Sequence, residues 1–220
     1  MFKKLAITLG IAIALVCAVI ASRPDTFKLE RSATVDAPAD VVYGMVADFH
    51  GWQAWSPWDA LDPGMKKTYE GSGKGATYHW AGNKDVGEGQ MTIVDLKPNE
   101  RIDIKLDFIK PWESTNQTQF VFQAAGDKTT VTWHMNGSVG FVEKAMGLLK
   151  SWDEMIGPDF EKGLAKLKSG AEAEQQKRVA AAKAAEEAAR KAAEEAAKAA
   201  AAAAAAVAAA PPAPASPAKN

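Results

Sequence analysis

The sequence predicts an α+β fold: a curved antiparallel sheet wrapped around a long carboxy-terminal helix, preceded by a transmembrane helix and followed by an alanine-rich helical tail. Three observations carry this expectation. Between residues 27 and 135, apolar side chains recur at every second position in six segments, the period of half-buried strands. The connections between neighbouring segments in residues 76–135 are too short for crossover helices, so these strands run antiparallel. Finally, Trp152, Met155, Ile156, Phe160, Leu164 and Leu167 fall on one helical stripe, which supplies a cover for the apolar face of the sheet.

Composition bounds the function. The chain has 220 residues, 47% of them hydrophobic, with 26 basic and 27 acidic side chains. That is room for one ordinary domain and some extra segments. A net charge near zero argues against a dedicated nucleic-acid binder. One cysteine excludes a disulfide scaffold and a cysteine-rich metal cluster, and three histidines make a multi-histidine site improbable. No cofactor or metal is expected. The averages hide unlike regions: an anchor at residues 1–25, the globular domain at 26–168, a helical rod at 169–210 and a Pro/Ala-rich disordered tip at 211–220. The domain carries 16 basic against 20 acidic groups, so no polyanionic partner is indicated.

Lys3 and Lys4 precede an uncharged run from Leu5 to Ala21. Seventeen helical residues span roughly 25 Å, the short end of the range for a transmembrane helix. A cleaved signal peptide competes, with Val19-Ile20-Ala21 as the cleavage site, but the run exceeds the usual apolar core of about 7–15 residues. Cys17 follows Val16 rather than a small residue, so it reads as an apolar side chain in lipid, not a lipid-attachment site. The two lysines favour a cytoplasmic amino terminus, with the domain outside a bacterial inner membrane.

Residues 27–35 alternate and read as a strand. Asp36-Ala37-Pro38-Ala39-Asp40 offers turn and helix-start chemistry. Val41, Val42, Met45, Val46 and Phe49 then recur at helical spacing, and His50-Gly51 stops the helix before an aromatic cluster, Trp52, Trp55, Pro57 and Trp58. Further strands read at 76–81, 89–96, 102–108, 119–123 and 130–135, each apolar on one face. Residues 141–168 read as helix, with a break or kink expected at Gly157-Pro158.

Several of these segments resemble a known family. Val35-Asp36-Ala37-Pro38-Ala39-Asp40-Val41-Val42-Tyr43, Trp52-Gln53-Ala54-Trp55-Ser56-Pro57-Trp58, Gly73-Lys74-Gly75-Ala76, Gly87-Glu88-Gly89-Gln90-Met91-Thr92-Ile93, Thr130-Val131-Thr132-Trp133 and Gly157-Pro158-Asp159-Phe160-Glu161-Lys162-Gly163-Leu164 are similar to motifs of the SRPBCC superfamily. That superfamily includes START, birch-pollen-allergen and polyketide-cyclase-like proteins, and the resemblance is to its polyketide cyclase/dehydrase branch. It covers residues 27–168. It implies a helix-grip fold with a cavity between sheet and helix, and a hydrophobic small molecule or lipid as ligand. It does not fix an activity.

Candidate chemistry is sparse. Gly71-Ser72-Gly73-Lys74-Gly75 lacks phosphate-loop spacing and leads into a strand, so it reads as a flexible hairpin or cavity-rim loop. His79, Glu88 and His134 are the acid–base candidates for a cyclase- or dehydrase-like enzyme, the alternative to a binding module. Both histidines fall on faces expected to be polar, and no catalytic constellation is assigned. The candidate cavity lining is Tyr78, Trp80, Ile104, Leu106, Phe108, Phe120, Phe122, Trp133, Met135, Trp152, Ile156 and Phe160; Trp52, Trp55 and Trp58 read as structural braces. Core packing and cavity lining follow the same pattern in a sequence.

Residues 171–210 contain 24 alanines, and Glu186–Arg190, Glu187–Lys191 and Glu194–Lys198 stand at i,i+4 with the acid first, the favourable order. A solvated helical spacer is the simplest expectation. The competing one is an arm that recruits an envelope protein partner, a scaffold role.

Overall fold

The computed structural model describes residues 1–208, which fall into two units divided after Gln175. The tip expected at 211–220 lies outside the described residues. In the first unit, α1 (Phe2–Ala21) is almost wholly exposed, and only Ile20 is buried. It is long and apolar enough to cross a membrane. There follow β1 (Thr26–Val35), α2 (Ala39–Ala47) and two short 3-10 turns, Phe49–Ala54 and Trp58–Ala60. Six strands come next: β2 (Lys66–Glu70), β3 (Thr77–Ala81), β4 (Glu88–Lys97), β5 (Arg101–Lys110), β6 (Ser114–Ala125) and β7 (Lys128–Ser138). Two helices close the chain, α3 (Phe141–Met146) and α4 (Trp152–Ala208).

All seven strands form one antiparallel sheet in the order β1-β7-β6-β5-β4-β3-β2. The α+β helix-grip expectation therefore holds. β2 is an edge strand that alternation did not reveal, because Lys66-Lys67-Thr68-Tyr69-Glu70 carries a single large apolar side chain. β4 bulges near Gly89 and between Ile93 and Asp95, which adds twist and bend to the sheet.

One face of the sheet is buried. Val35, Ile93, Ile102, Ile104, Phe120 and Val131 meet Phe160, Leu164, Leu167 and Ala171 in a single core. The four helix residues recur at helical spacing, so one stripe of α4 covers the sheet. The 3-10 aromatics tie α2 to this core. A helix end leaves carbonyls without partners; here the indole N–H of Trp52 donates to the Val46 carbonyl (2.9 Å) and that of Trp55 to the Met45 carbonyl (3.1 Å).

Two expectations for the carboxy-terminal helix are corrected. It is not continuous from residue 141: α3 ends at Met146, and Ser151 starts α4 anew. The Ser151 Oγ accepts from the Glu154 N–H, and the Glu154 carboxylate accepts from the Ser151 N–H, a reciprocal cap. Of the break or kink expected at Gly157-Pro158, the break does not occur: Pro158 lies within α4. A side chain before proline disfavours helical backbone, and glycine removes that conflict. Gly157 also leaves room for Arg31, whose Nη2 stands 2.3 Å from where a Cβ would be. The Arg31 guanidinium reaches across to Asp153 (2.8 and 3.0 Å) and Glu161 (2.8 Å), fastening edge strand β1 to the first turns of α4.

In the second unit the described residues 176–208 are helical and exposed wherever their side chains are described. Glu187–Lys191 (2.7 Å) and Glu194–Lys198 (2.8 Å) pair along it as the spacing requires.

Candidate functional site

Between the sheet and the first turns of α4 lies a cavity of about 300 Å³. Its floor is Tyr78, Trp80, Met91, Leu106, Phe108, Asn116, Thr118, Trp133 and Met135, taken from five adjacent strands. Its roof is Trp152, Ile156, Asp159 and Phe160 of α4, and Trp52, Ser56, Trp58 and Met65 close one side. The volume is at the low end of the ~300–1,000 Å³ usual for ligand pockets. The hollow lies under the amino-terminal turns of α4 only. Further along, Leu164, Leu167 and Ala171 are packed tight.

The walls are held rigidly. Phe160 stacks on Trp133 (centroids 3.8 Å apart), Trp152 stacks on Phe27 (4.9 Å), and Trp58 meets both Trp133 and Phe160 edge-on. Several polar groups along the wall are already satisfied. The Trp133 indole N–H donates to the Thr118 hydroxyl (2.8 Å), which itself donates to the His134 carbonyl (2.8 Å). The Trp80 N–H donates to the Val86 carbonyl (3.1 Å).

Ser56, Tyr78 and Asn116 differ: each is buried and lines the cavity, yet its side-chain polar group makes no hydrogen bond with the described residues. Asn116, 6% exposed, brings the only amide among them. The amide lies over Gly137, its cross-strand partner: a Cβ there would stand 1.8 Å from Asn116 Oδ1. Glycine at 137 thus makes the space this amide occupies. The amide opens on the cavity, where a bound hydrogen-bonding group can pair with it. Burial pushes the Tyr78 hydroxyl above its ordinary pKa, with Asp59 and Tyr69 adding to the effect, so this wall residue stays neutral. Asp85, Glu143 and Asp159 line the cavity, whereas no lysine, arginine or histidine does among the described residues.

Nine of the twelve candidate lining residues stand in this wall: Tyr78, Trp80, Leu106, Phe108, Trp133, Met135, Trp152, Ile156 and Phe160. Ile104, Phe120 and Phe122 do not. They share the same face of the sheet but lie where α2 and the 3-10 turns fill the space. Phe120 meets Trp52 and Trp55 edge-on and Phe122 meets Tyr43. Trp55 is fully buried and serves as a brace, while Trp52 and Trp58, expected only to brace, also form wall.

The acid–base candidates do not converge on the cavity. His79 meets Glu88 at 3.7 Å and His134 meets Glu30 at 3.1 Å, and none of these residues is in its wall. Lys110, 2.6 Å from Glu88, is the main cause holding that carboxyl below its usual pKa, and His79 adds to it. Glu88 is therefore a surface carboxylate. Gly71 to Gly75 forms the loop between β2 and β3, as its spacing suggested. Among the described residues no cluster of three or more His, Cys, Asp or Glu is placed to hold a metal.

Solved structures similar to this chain share little sequence with it. Protein CV1439 from Chromobacterium violaceum is 16% identical, with 68% of this chain and 99% of that one covered and a TM-score of 0.47. The Aha1 dimer from Colwellia psychrerythraea is 16% identical over 66% of this chain and 96% of that one (TM-score 0.47). Ara h 8.0201 is 8% identical over 69% and 99% (TM-score 0.47). A search of curated proteins finds no match. Residues 26–172, two thirds of the chain, match the family described as polyketide cyclase/dehydrase and lipid transport. With the seven-stranded sheet and its covering helix in place, the chain belongs to that family and, through it, to the SRPBCC superfamily.

Proposed function

We propose that this protein is a membrane-anchored module that holds a neutral amphiphile, an apolar body bearing one uncharged hydrogen-bonding group, in the cavity between sheet and α4. The carrying observation is the wall itself: about 300 Å³ bounded by aromatic and aliphatic side chains, with the unpartnered amide of Asn116 opening on it. The family, whose description includes lipid transport, supports a hydrophobic ligand. The charge of the wall narrows the class. Its ionisable groups other than Tyr78 are the carboxylates Asp85, Glu143 and Asp159; Asp85 and Asp159 are paired with Lys84 and Lys162 (both 3.1 Å), which leaves Glu143 as the uncompensated charge among the described wall residues. A fatty acid or phosphate entering beside Glu143 would meet like charge with no wall cation among the described residues to offset it. Burying an apolar body stabilises the complex by about 25 cal/mol per Å², and the Asn116 amide supplies orientation.

The reading of α1 as an uncleaved anchor draws support from its length, its exposure and the two lysines before it. The positive-inside rule then puts residues 1–4 in the cytoplasm and the domain on the outer side of a bacterial inner membrane. The exposed alanine-rich stretch is read as a spacer. Partner recruitment is the competing reading, and removing residues 176–220 and comparing co-purifying proteins separates the two.

Extraction with organic solvent and mass spectrometry of the full chain purified from native membranes test the ligand. The expected result is one neutral amphiphile at near-stoichiometric amount, reduced in Leu106→Trp. Protein that carries only bulk phospholipid, in the same amount as the variant, sinks the proposal.

A further inference from the structure

One end of the sheet leaves large apolar side chains in solvent. Trp112, in the β5–β6 turn, is 73% exposed; Phe141 and Val142 of α3 are 52% and 71% exposed, and Leu149 just beyond it is 92% exposed. Scattered exposed apolar residues are ordinary, but these share a location. β6 begins at Ser114 and β7 ends at Ser138, and Asn116 lies opposite Gly137, so the β5–β6 turn and α3 leave the sheet at the same end.

The same end receives α1. The Val139 N–H donates to the Asp25 carbonyl (2.9 Å), Lys144 pairs with the Asp25 carboxylate, α3 packs beside α1, and Ile20 is buried. Asp25 is four residues beyond Ala21, a reach of about 14 Å at full extension. α3 is thereby kept close to the end of a helix long enough to cross a membrane. The cavity reaches this end too: Ser114, Ser138 and Glu143 of α3 belong to its wall.

We propose that Trp112, Phe141, Val142 and Leu149 seat in the headgroup region of the bilayer that α1 enters, so that the cavity faces lipid rather than bulk water. This inference rests on the reading of α1 as an anchor. The occupant is a lipid surface because the patch combines an indole with aliphatic side chains beside Arg23 and Lys150, the composition of interfacial segments. A water-insoluble guest then passes between bilayer and cavity without crossing the aqueous phase, and Glu143, at this end of the wall, opposes the entry of anionic lipid.

Nitroxide labels test this on the full chain. In a Cys17→Ser background, single cysteines replace Val142, Leu149, Ile13 in the middle of α1, and Asp127 in the β6–β7 turn at the opposite end of the sheet. The probe membrane is a vesicle of pure phosphatidylcholine, so that charge attraction does not stand in for insertion. Electron paramagnetic resonance then reads the ratio of oxygen to water-soluble nickel-chelate accessibility. The expected ratio is several-fold higher at 142 and 149 than at 127. Values at 142 and 149 equal to that at 127, with Ile13 lipid-immersed, overturn the docking while leaving the anchor standing. An aqueous Ile13 label overturns the anchor and the docking with it.

Discussion

Leu106→Trp separates a hollow from a packed interior by the sign of its effect. Leu106 stands in the cavity floor between Met91 and Asn116 on neighbouring strands. The change adds roughly 60 Å³, about the volume of two water molecules, against about 300 Å³ available. If the ring enters empty space, it takes roughly 70 Å² more apolar surface out of water, at most ~2 kcal/mol of stabilisation at about 25 cal/mol per Å². In a filled core the same ring forces its neighbours apart and costs ~1–3 kcal/mol. Pulse proteolysis of the full chain in nanodiscs across a urea series reads the difference. With a slope of about 2 kcal/mol per molar, overpacking lowers the midpoint by ~0.5–1.5 M, whereas filling a void leaves it unchanged or raises it. A lowered midpoint refutes the hollow, and with it the carrier proposal.

Asn116→Leu removes an amide that has no protein partner, so stability is expected to hold or rise, while the affinity for a hydroxyl- or carbonyl-bearing guest falls about tenfold, one hydrogen bond's worth; urea denaturation checks the first half, and isothermal titration with a polar guest and its deoxy analogue the second. Thr129→Val is expected to destabilise by about 1–2 kcal/mol, because the fully buried Thr129 hydroxyl donates to the Ala37 carbonyl (2.8 Å) and valine leaves that carbonyl bare; a calorimetric change under 0.5 kcal/mol contradicts this. Gly157→Ala is expected to cost ~1–3 kcal/mol, with part of the loss recovered by adding Arg31→Met; strictly additive losses show that Arg31 does not occupy the space beside Gly157. Arg31 holds the Asp153 carboxyl below its usual pKa, so this contact is at full strength above the ordinary carboxylate range and is lost as pH falls through the depressed value. Amide protection in the first turns of α4 is therefore expected to fall on acidification, and to fall less in Arg31→Met, where the Glu154–Ser151 cap still titrates.

The sheet was readable because alternation reports burial directly: Ile102, Ile104, Leu106 and Phe108 could belong only to a strand with one covered face. The same rule missed Asn116, because the strand read at 119–123 begins in fact at Ser114. Asn116 and Thr118 have the parity of Phe120 and Phe122 and so face inward, but their polarity made the start of β6 look like loop. The cavity boundary was not readable, since Phe120 and Leu106 follow one pattern and only the 3-10 aromatics, folded back from residues 49–60, decide which of the two is smothered. Proline was misleading for a related reason. The helix runs through Pro158 because Gly157 relieves the backbone and the stripe from Phe160 to Ala171 fixes its course, both tertiary facts.

The crowding of indoles around the hollow has a practical consequence. Trp52, Trp58, Trp80, Trp133 and Trp152 border it, Trp55 is sealed away, and Trp112 faces outward. The protein thus carries its own optical gauge. A guest bearing bromine or a nitroxide extinguishes emission from five chromophores at once, and replacing Trp112 with phenylalanine strips out the one signal that answers to the surroundings instead of the interior.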